Sequence, residues 1–273
     1  MLLELVRKLL LEEGIEYVSA ISLEKCKIKK PYLLQKAGID AKKANAIIFA
    51  VPYYAKENED KNISLYAVSR DYHLYFSLLF ERLINKLKIK YPNGLFMGFT
   101  DHSPIDEVHA AASSGLGIIG KNHLLITEKY SSFVFIGSII TDVPCDTFFC
   151  EPKECEDCGR CERACPCSLD STKCISALSQ KKGELTEDEA NALISSGSIW
   201  GCDICQLSCP HSVDISETKI PFFLEERISK FTKEIISNMS DEDFSDRAYS
   251  WRGRNTIIRN LEITLNGDKN EQV

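Results

Sequence analysis

"ANAIIFAVPYY", residues 44–54, is apolar nearly throughout and is punctuated by Pro52. A run of that length without polar alternation predicts a strand covered on both faces. "SSFVFIGSIITD" (131–142) predicts a second strand. The opening "MLLELVRKLLLEEG" sets Glu4, Glu12 and Glu13 within and beside its apolar residues, which predicts an amphipathic helix ending near Gly14. In "SLYAVSRDYHLYFSLLFERLINKLKIKYP" (64–92), Leu74, Leu78, Leu79, Leu83 and Leu87 recur at helical spacing, so a long helix is expected, stopped before Pro92. "EVHAAASSGLGIIGKN" (107–122) predicts a helix broken by Gly115 and Gly117. Residues 1–144 therefore form a mixed α and β body, 145–212 a cysteine-rich domain, and 213–273 a polar helical segment that packs back on the body and frays at "NGDKNEQV".

Composition changes this picture in two ways. At 273 residues with 44% hydrophobic positions the chain can bury a sizeable core, and its net charge of −7 argues against a protein that coats nucleic acid indiscriminately. No stretch is apolar and long enough to span a membrane, and the first helix lacks the character of a signal peptide, so a cytoplasmic protein is expected. The second change is cysteine. Ten of the twelve lie between Cys150 and Cys209, and in a reducing compartment so many thiols point to metal, not disulfides.

Their rhythm is specific. "CEDCGRCERACP" (155–166) has Cys-x2-Cys-x2-Cys followed by Cys-Pro. Such a loop brings three thiolates to three corners of one iron–sulfur cube and turns the fourth toward a second cube. "WGCDICQLSCPHS" supplies Cys202, Cys205 and Cys209, again with proline behind the last. A full copy of the first run would need a cysteine where Ile199 stands, so a ligand comes from elsewhere: Cys174 in "TKCISAL", with Cys167 as its competitor. One [4Fe–4S] cluster then takes Cys155, Cys158, Cys161 and Cys209, and the other takes Cys165, Cys174, Cys202 and Cys205. Paired structural zinc sites are the alternative, but zinc favours pairs of cysteines over a triplet followed by Cys-Pro. Cys26, Cys145, Cys150 and, with Cys174 chosen as the ligand, Cys167 read as ordinary thiols. About 200 further residues surround the cluster region, more than a plain ferredoxin needs, which implies a reaction centre elsewhere.

In chain order, "YAVSRDYHLYF" (66–76), "TDHSPIDEVHAAASSGLGIIGKN" (100–122), the first cysteine run, "CISAL" (174–178), "GCDICQLSCP" (201–210) and "WRGRNTIIRNLEITLN" (251–266) resemble the epoxyqueuosine reductase family. The resemblance implies an α/β (α+β) body like the nitroreductase-like cobalamin domain of reductive dehalogenases, joined to a ferredoxin-like double [4Fe–4S] domain. It implies an oxidoreductase of queuosine biosynthesis and tRNA processing that converts epoxyqueuosine to queuosine, with two [4Fe–4S] clusters and cobalamin as cofactors. It further implies a tRNA partner, an external electron donor such as a flavodoxin or ferredoxin, and a monomer. Asp101 falls at the family's proton donor and Glu107 supports it. Ser176, Asp203 and Lys121 are carried over as cobalamin contacts. Three features depart from the family's pattern: Ile118 replaces a usual Trp, the Cys165–Cys174 spacer is short, and the C-terminal helical repeats of long members do not follow.

Plainer readings stand beside these. An Asp before Ser-Pro is commonly a turn residue, and Gly115, Gly117 and Gly120 fit a close helix–strand crossing. Asp71 can cap the long helix with His73 bonding locally, and no protein imidazole is expected on cobalt because Phe76 replaces the glycine of the His-ligating signature. Arg247, Arg252, Arg254 and Arg259 either face tRNA phosphate or form solvated helix surface. Two other functions remain: an iron–sulfur electron-transfer protein without chemistry of its own, and a related corrinoid reductase with a different substrate.

Overall fold

The computed structural model describes residues 1–57 and 60–270, with side chains 266–270 outside the description. The chain divides into two compact units. One comprises Met1–Tyr53, Tyr75–Cys158 and Asp214–Ile220; the other comprises Tyr54–Leu74, Gly159–Val213 and Pro221–Val273. The sequence boundaries at 144 and 212 follow cysteine content, whereas the first unit continues through Cys158 because Ile119 pairs with Glu154 in an isolated bridge.

The first unit is an antiparallel sheet covered by helices. Its strands are β1 (Tyr17–Ser22), β2 (Asn45–Pro52), β3 (Phe96–Phe99) and β6 (Val134–Thr141), in the order β1-β2-β6-β3. β4 (Ile118–Ile119) and β5 (Leu125–Ile126) form a small separate hairpin. The helices are α1 (Leu2–Glu12), α2 (Pro31–Lys36), α3 (Tyr72–Lys90), whose body from Tyr75 onward belongs here, and α4 (Glu107–Ser113). The 44–54 run becomes β2 because both its faces are covered. Ala46, Ile48 and Ala50 join Leu34 of α2 and Ala110–Ala112 of α4 in one core, while Phe49 on the opposite face stacks on Phe76 of α3 at 6.2 Å. That close approach of α3 is why Gly98 and Gly137 lack side chains: a Cβ at Gly98 would enter the Phe80 ring, and one at Gly137 would meet Phe49 and Phe76.

Three sequence expectations shift. The long helix starts at Tyr72, after a short 3-10 turn at Leu65–Ala67. Its buried stripe is Tyr75, Phe76, Leu79, Leu83 and Leu87, while Leu74 and Leu78 are exposed, because aromatic residues took the core positions. The helix expected over 107–122 ends at Ser113, where Gly115 adopts φ +81° and Leu116 N–H returns to the Ala111 carbonyl.

The second unit holds α5 (Arg160–Ala164), α6 (Ile175–Ser179), α7 (Glu187–Ser196), α8 (Ile204–Leu207), α9 (Lys233–Asn238), α10 (Asp241–Ser245) and α11 (Arg254–Asn270). Part of the tail expected to fray from residue 266 continues α11 to Asn270, and 271–273 lie outside the described residues. Ile175, Leu178 and Leu193 pack with Ile263 of α11. Asn260, fully buried, donates from Nδ2 to the carbonyls of Ser179 (2.7 Å) and Ile199 (2.8 Å), tying α11 to the segment before Cys202. Trp200, Tyr249 and Phe231 form an aromatic core beside it. No described helix is long and apolar enough to cross a membrane.

Candidate active site and cluster-ligand cysteines

β3 delivers the loop that carries Asp101. Thr100 anchors it by donating Oγ1–H to the Ile136 carbonyl at 3.0 Å, and Asp101 follows with φ +58°. A non-glycine residue held in the left-handed region marks a backbone that its surroundings over-determine. Those surroundings are visible. The Pro104 carbonyl accepts from the N–H groups of Lys29 (2.8 Å) and Lys30 (3.1 Å), Asp106 N–H donates to the Lys27 carbonyl (2.9 Å), and Ile28 bridges Ile105. Asp106 then caps α4 by accepting from His109 N–H at 3.1 Å. Asp101 itself is exposed.

Glu107 begins α4 behind Asp101. Burial pushes its carboxyl up to about 8, the Asp101 carboxylate adds to the rise, and the Asp101 backbone N–H and Lys30 oppose it. The residue as a whole is half-buried, yet its Oε1 is enclosed and meets no hydrogen-bond donor. A protonated carboxyl satisfies that environment better than a carboxylate does. The structure thus brings together one exposed carboxyl and one enclosed carboxyl that keeps its proton at neutral pH, which is the arrangement acid chemistry requires.

Asp71 accepts from the His73 backbone N–H at 3.0 Å and pairs with the His73 ring at 2.8 Å, so this pair serves the start of α3.

In the first unit, Cys155 N–H donates to the Ile119 carbonyl (2.9 Å), and the Lys121 backbone N–H donates to Cys155 Sγ (3.3 Å). The Lys121 ammonium pairs with Asp157 at 2.9 Å, so here its side chain answers a carboxylate beside the cysteine run. Asp157 (φ +49°) and Gly159 (φ +70°) curl the chain between Cys155 and Cys161.

In the second unit, Cys161 lies on α5 and Cys165 ends that helix before Pro166. Cys174 starts α6, while Cys202 and Cys205 flank and occupy the start of α8. Burial pushes the Cys202 thiol up; Ile204 N–H pulls it down, and Asp203, Cys174 and Cys165 add to the rise, which places those side chains in its neighbourhood. Cys167 shares that neighbourhood, with its Sγ 3.3 Å from Cys165 Sγ. Among the described residues no three His, Cys, Asp or Glu side chains converge on a single ion.

The cobalamin contacts expected from sequence look different in three dimensions. Ser176 is half-buried on α6, and its hydroxyl accepts from Gln180 at 3.3 Å. Asp203 is enclosed, and its carboxylate receives Lys61 Nζ (2.9 Å), Leu65 N–H (2.8 Å), Ser64 Oγ and Gln206 Nε2. The Asp203 carboxylate thus has four protein donors and braces Lys61–Leu65. Nothing in the sequence signalled Lys61 or Ser64 as its partners, since they lie far away along the chain. The arginines also turn inward. Arg247 donates to the Glu226 carbonyl (2.6 Å), Arg254 to the Ile236 carbonyl (2.7 Å), and Arg259 to the Lys181 carbonyl (2.7 Å); Arg252 stacks over Trp251.

Comparison with known proteins adds the following. No family model matches the chain. The epoxyqueuosine reductase of Listeria monocytogenes serovar 1/2a is 32% identical over 209 residues, 71% of this chain and 54% of that protein. Those of Lactococcus garvieae (strain Lg2) and Bacillus anthracis are each 28% identical, over 85% and 96% of this chain and 71% and 73% of theirs. The chain thus spans about half to three quarters of these relatives' own length. Among solved structures, epoxyqueuosine reductase from Streptococcus thermophilus shares the fold at a TM-score of 0.74 and 24% identity, over 98% of this chain and 82% of that one. An epoxyqueuosine reductase holding a tRNA-Tyr epoxyqueuosine-modified stem loop matches at a TM-score of 0.75 and 22% identity, over 97% and 82%. The Bacillus subtilis enzyme, with its catalytic-aspartate loop swung out of the active site, matches at 0.75 and 21%, over the same shares.

Proposed function

We propose that this chain, which belongs to the epoxyqueuosine reductase family, reduces epoxyqueuosine in tRNA to queuosine. The reaction consumes two electrons and two protons, breaks the epoxide and releases its oxygen as water. Two [4Fe–4S] clusters would supply electrons singly, and cobalamin would supply the reducing power at the substrate. The cluster ligands in this reading are Cys155, Cys158, Cys161 and Cys209 for one, and Cys165, Cys174, Cys202 and Cys205 for the other. The donor set supports it: Cys165, Cys174 and Cys202 share one neighbourhood, and Cys155 receives a backbone N–H of the kind that steadies ligand sulfurs. Ser176, Asp203 and Lys121 are the proposed cobalamin contacts, with Asp203 also bracing Lys61–Leu65.

The observation that carries the reading is the carboxyl pair. Asp101, exposed on its held loop, takes up a proton and passes it to the departing oxygen. Glu107, enclosed and protonated at neutral pH, accepts the Asp101 backbone N–H and steadies that loop while holding a second proton next to it.

The test is turnover. Protein purified and reconstituted without oxygen, given reductant, cobalamin and epoxyqueuosine-tRNA, should yield queuosine-tRNA by mass spectrometry of the digested nucleosides. Intact clusters and bound cobalamin without product would reject the substrate assignment.

A further inference from the structure

Arg247, Arg254 and Arg259 donate to backbone carbonyls and Arg252 stacks over Trp251; positive charge bonded to the Asp101 loop comes from a lysine-rich segment of the first unit. Between Lys25 and Lys36 the sequence holds five lysines and no acidic residue, in a molecule of net charge −7. Lys25, Lys27, Lys29 and Lys36 are exposed, although Lys29 pairs with Asp106 at 3.5 Å and Lys25 lies over the Phe149 ring, which leaves Lys27 and Lys36 to carry most of the charge. Backbone pairing registers this segment against the Asp101 loop: Ile28 bridges Ile105, and the Lys29 and Lys30 N–H groups share the Pro104 carbonyl. Side chains extend the pairing to the residue after Asp101. Lys30 Nζ lies 3.1 Å from His102 Nδ1, and Tyr32 OH lies 3.1 Å from His102 Nε2. Tyr32 remains 53% exposed, so an aromatic ring stands among the lysines.

We propose that Lys25–Lys36 receives the phosphates of the RNA strand that presents the modified base to Asp101, with Tyr32 as a stacking surface for a neighbouring base. The inference rests on the substrate reading above. Unpaired RNA loops are gripped by lysines along the backbone and by aromatic rings under splayed bases, and both are present here at a fixed distance from the acid. An acidic electron-donor protein would also favour lysines, but it must deliver electrons to cysteines, whereas this segment is registered against the proton donor.

The experiment uses the full holoenzyme and a fluorescent anticodon stem loop, with affinity measured by anisotropy across a salt series. Lys27→Gln combined with Lys36→Gln should weaken binding and lower the slope of log affinity against log salt by about 0.7–0.9 per lysine removed. In turnover the same variant should raise KM and retain kcat. The control pair Lys88→Gln and Lys90→Gln, exposed on α3, should leave affinity and slope unchanged. Equal slopes in wild type and the Lys27/Lys36 variant, or equal loss in the control, would overturn the proposal. So would slower reduction by an acidic flavodoxin with RNA affinity unaltered. Binding is read on unreacted RNA, so a lowered slope without queuosine formation would support this surface while rejecting the reaction.

Discussion

Asp101 and Glu107 differ in surroundings, and those surroundings divide their work. Asp101→Asn keeps the shape of the loop and removes the group that carries the proton, so turnover should fall about 10²- to 10⁴-fold while the anaerobic iron–sulfur absorbance stays as in wild type. Glu107 yields a pH prediction. Its carboxyl binds a proton more tightly in the folded chain (about 8) than at its ordinary value of 4.5. Between those values the native state carries more protons than the unfolded chain, so the group's contribution to stability falls as pH rises from about 4.5 to about 8 and then levels. Activity should decline along the same alkaline limb. Glu107→Gln, permanently neutral, should flatten both the activity limb and the melting-temperature slope; an unchanged alkaline limb would remove Glu107 from the acid chemistry.

At the scale of elements, the expected strands over 44–54 and 131–142 appear as β2 and β6, legible because burial on both faces leaves a continuous apolar run. β1 and β3 carried weaker signals: β3 is short and holds Gly98, which exists for the Phe80 ring. Gly137→Ala, which drives a methyl against Phe49 and Phe76, should cost about 1–3 kcal/mol in urea unfolding. Asn260→Ala would strand the buried carbonyls of Ser179 and Ile199, and a loss of about 2–3 kcal/mol is expected by the same measurement. A change under half a unit in either case would show that the local packing relaxes freely.

For the whole molecule, the cysteine rhythm leads to a prediction in iron. Wild-type chain prepared without oxygen should carry about eight irons, and Cys165→Ala should lose about half of them while keeping the spectrum of the other cluster. Zinc in place of iron would remove the electron path altogether. The sequence by itself determined the thiol spacing, the two buried strands and the Asp-containing motif, because each is a local pattern whose meaning survives in an extended chain. Tertiary structure decided the rest: the proton on Glu107, the four donors that occupy Asp203, the carbonyls that take up Arg247, Arg254 and Arg259, and the lysines stitched beside Asp101. Each of these depends on groups from separate segments being brought together by the fold, and only the folded arrangement sets which groups meet.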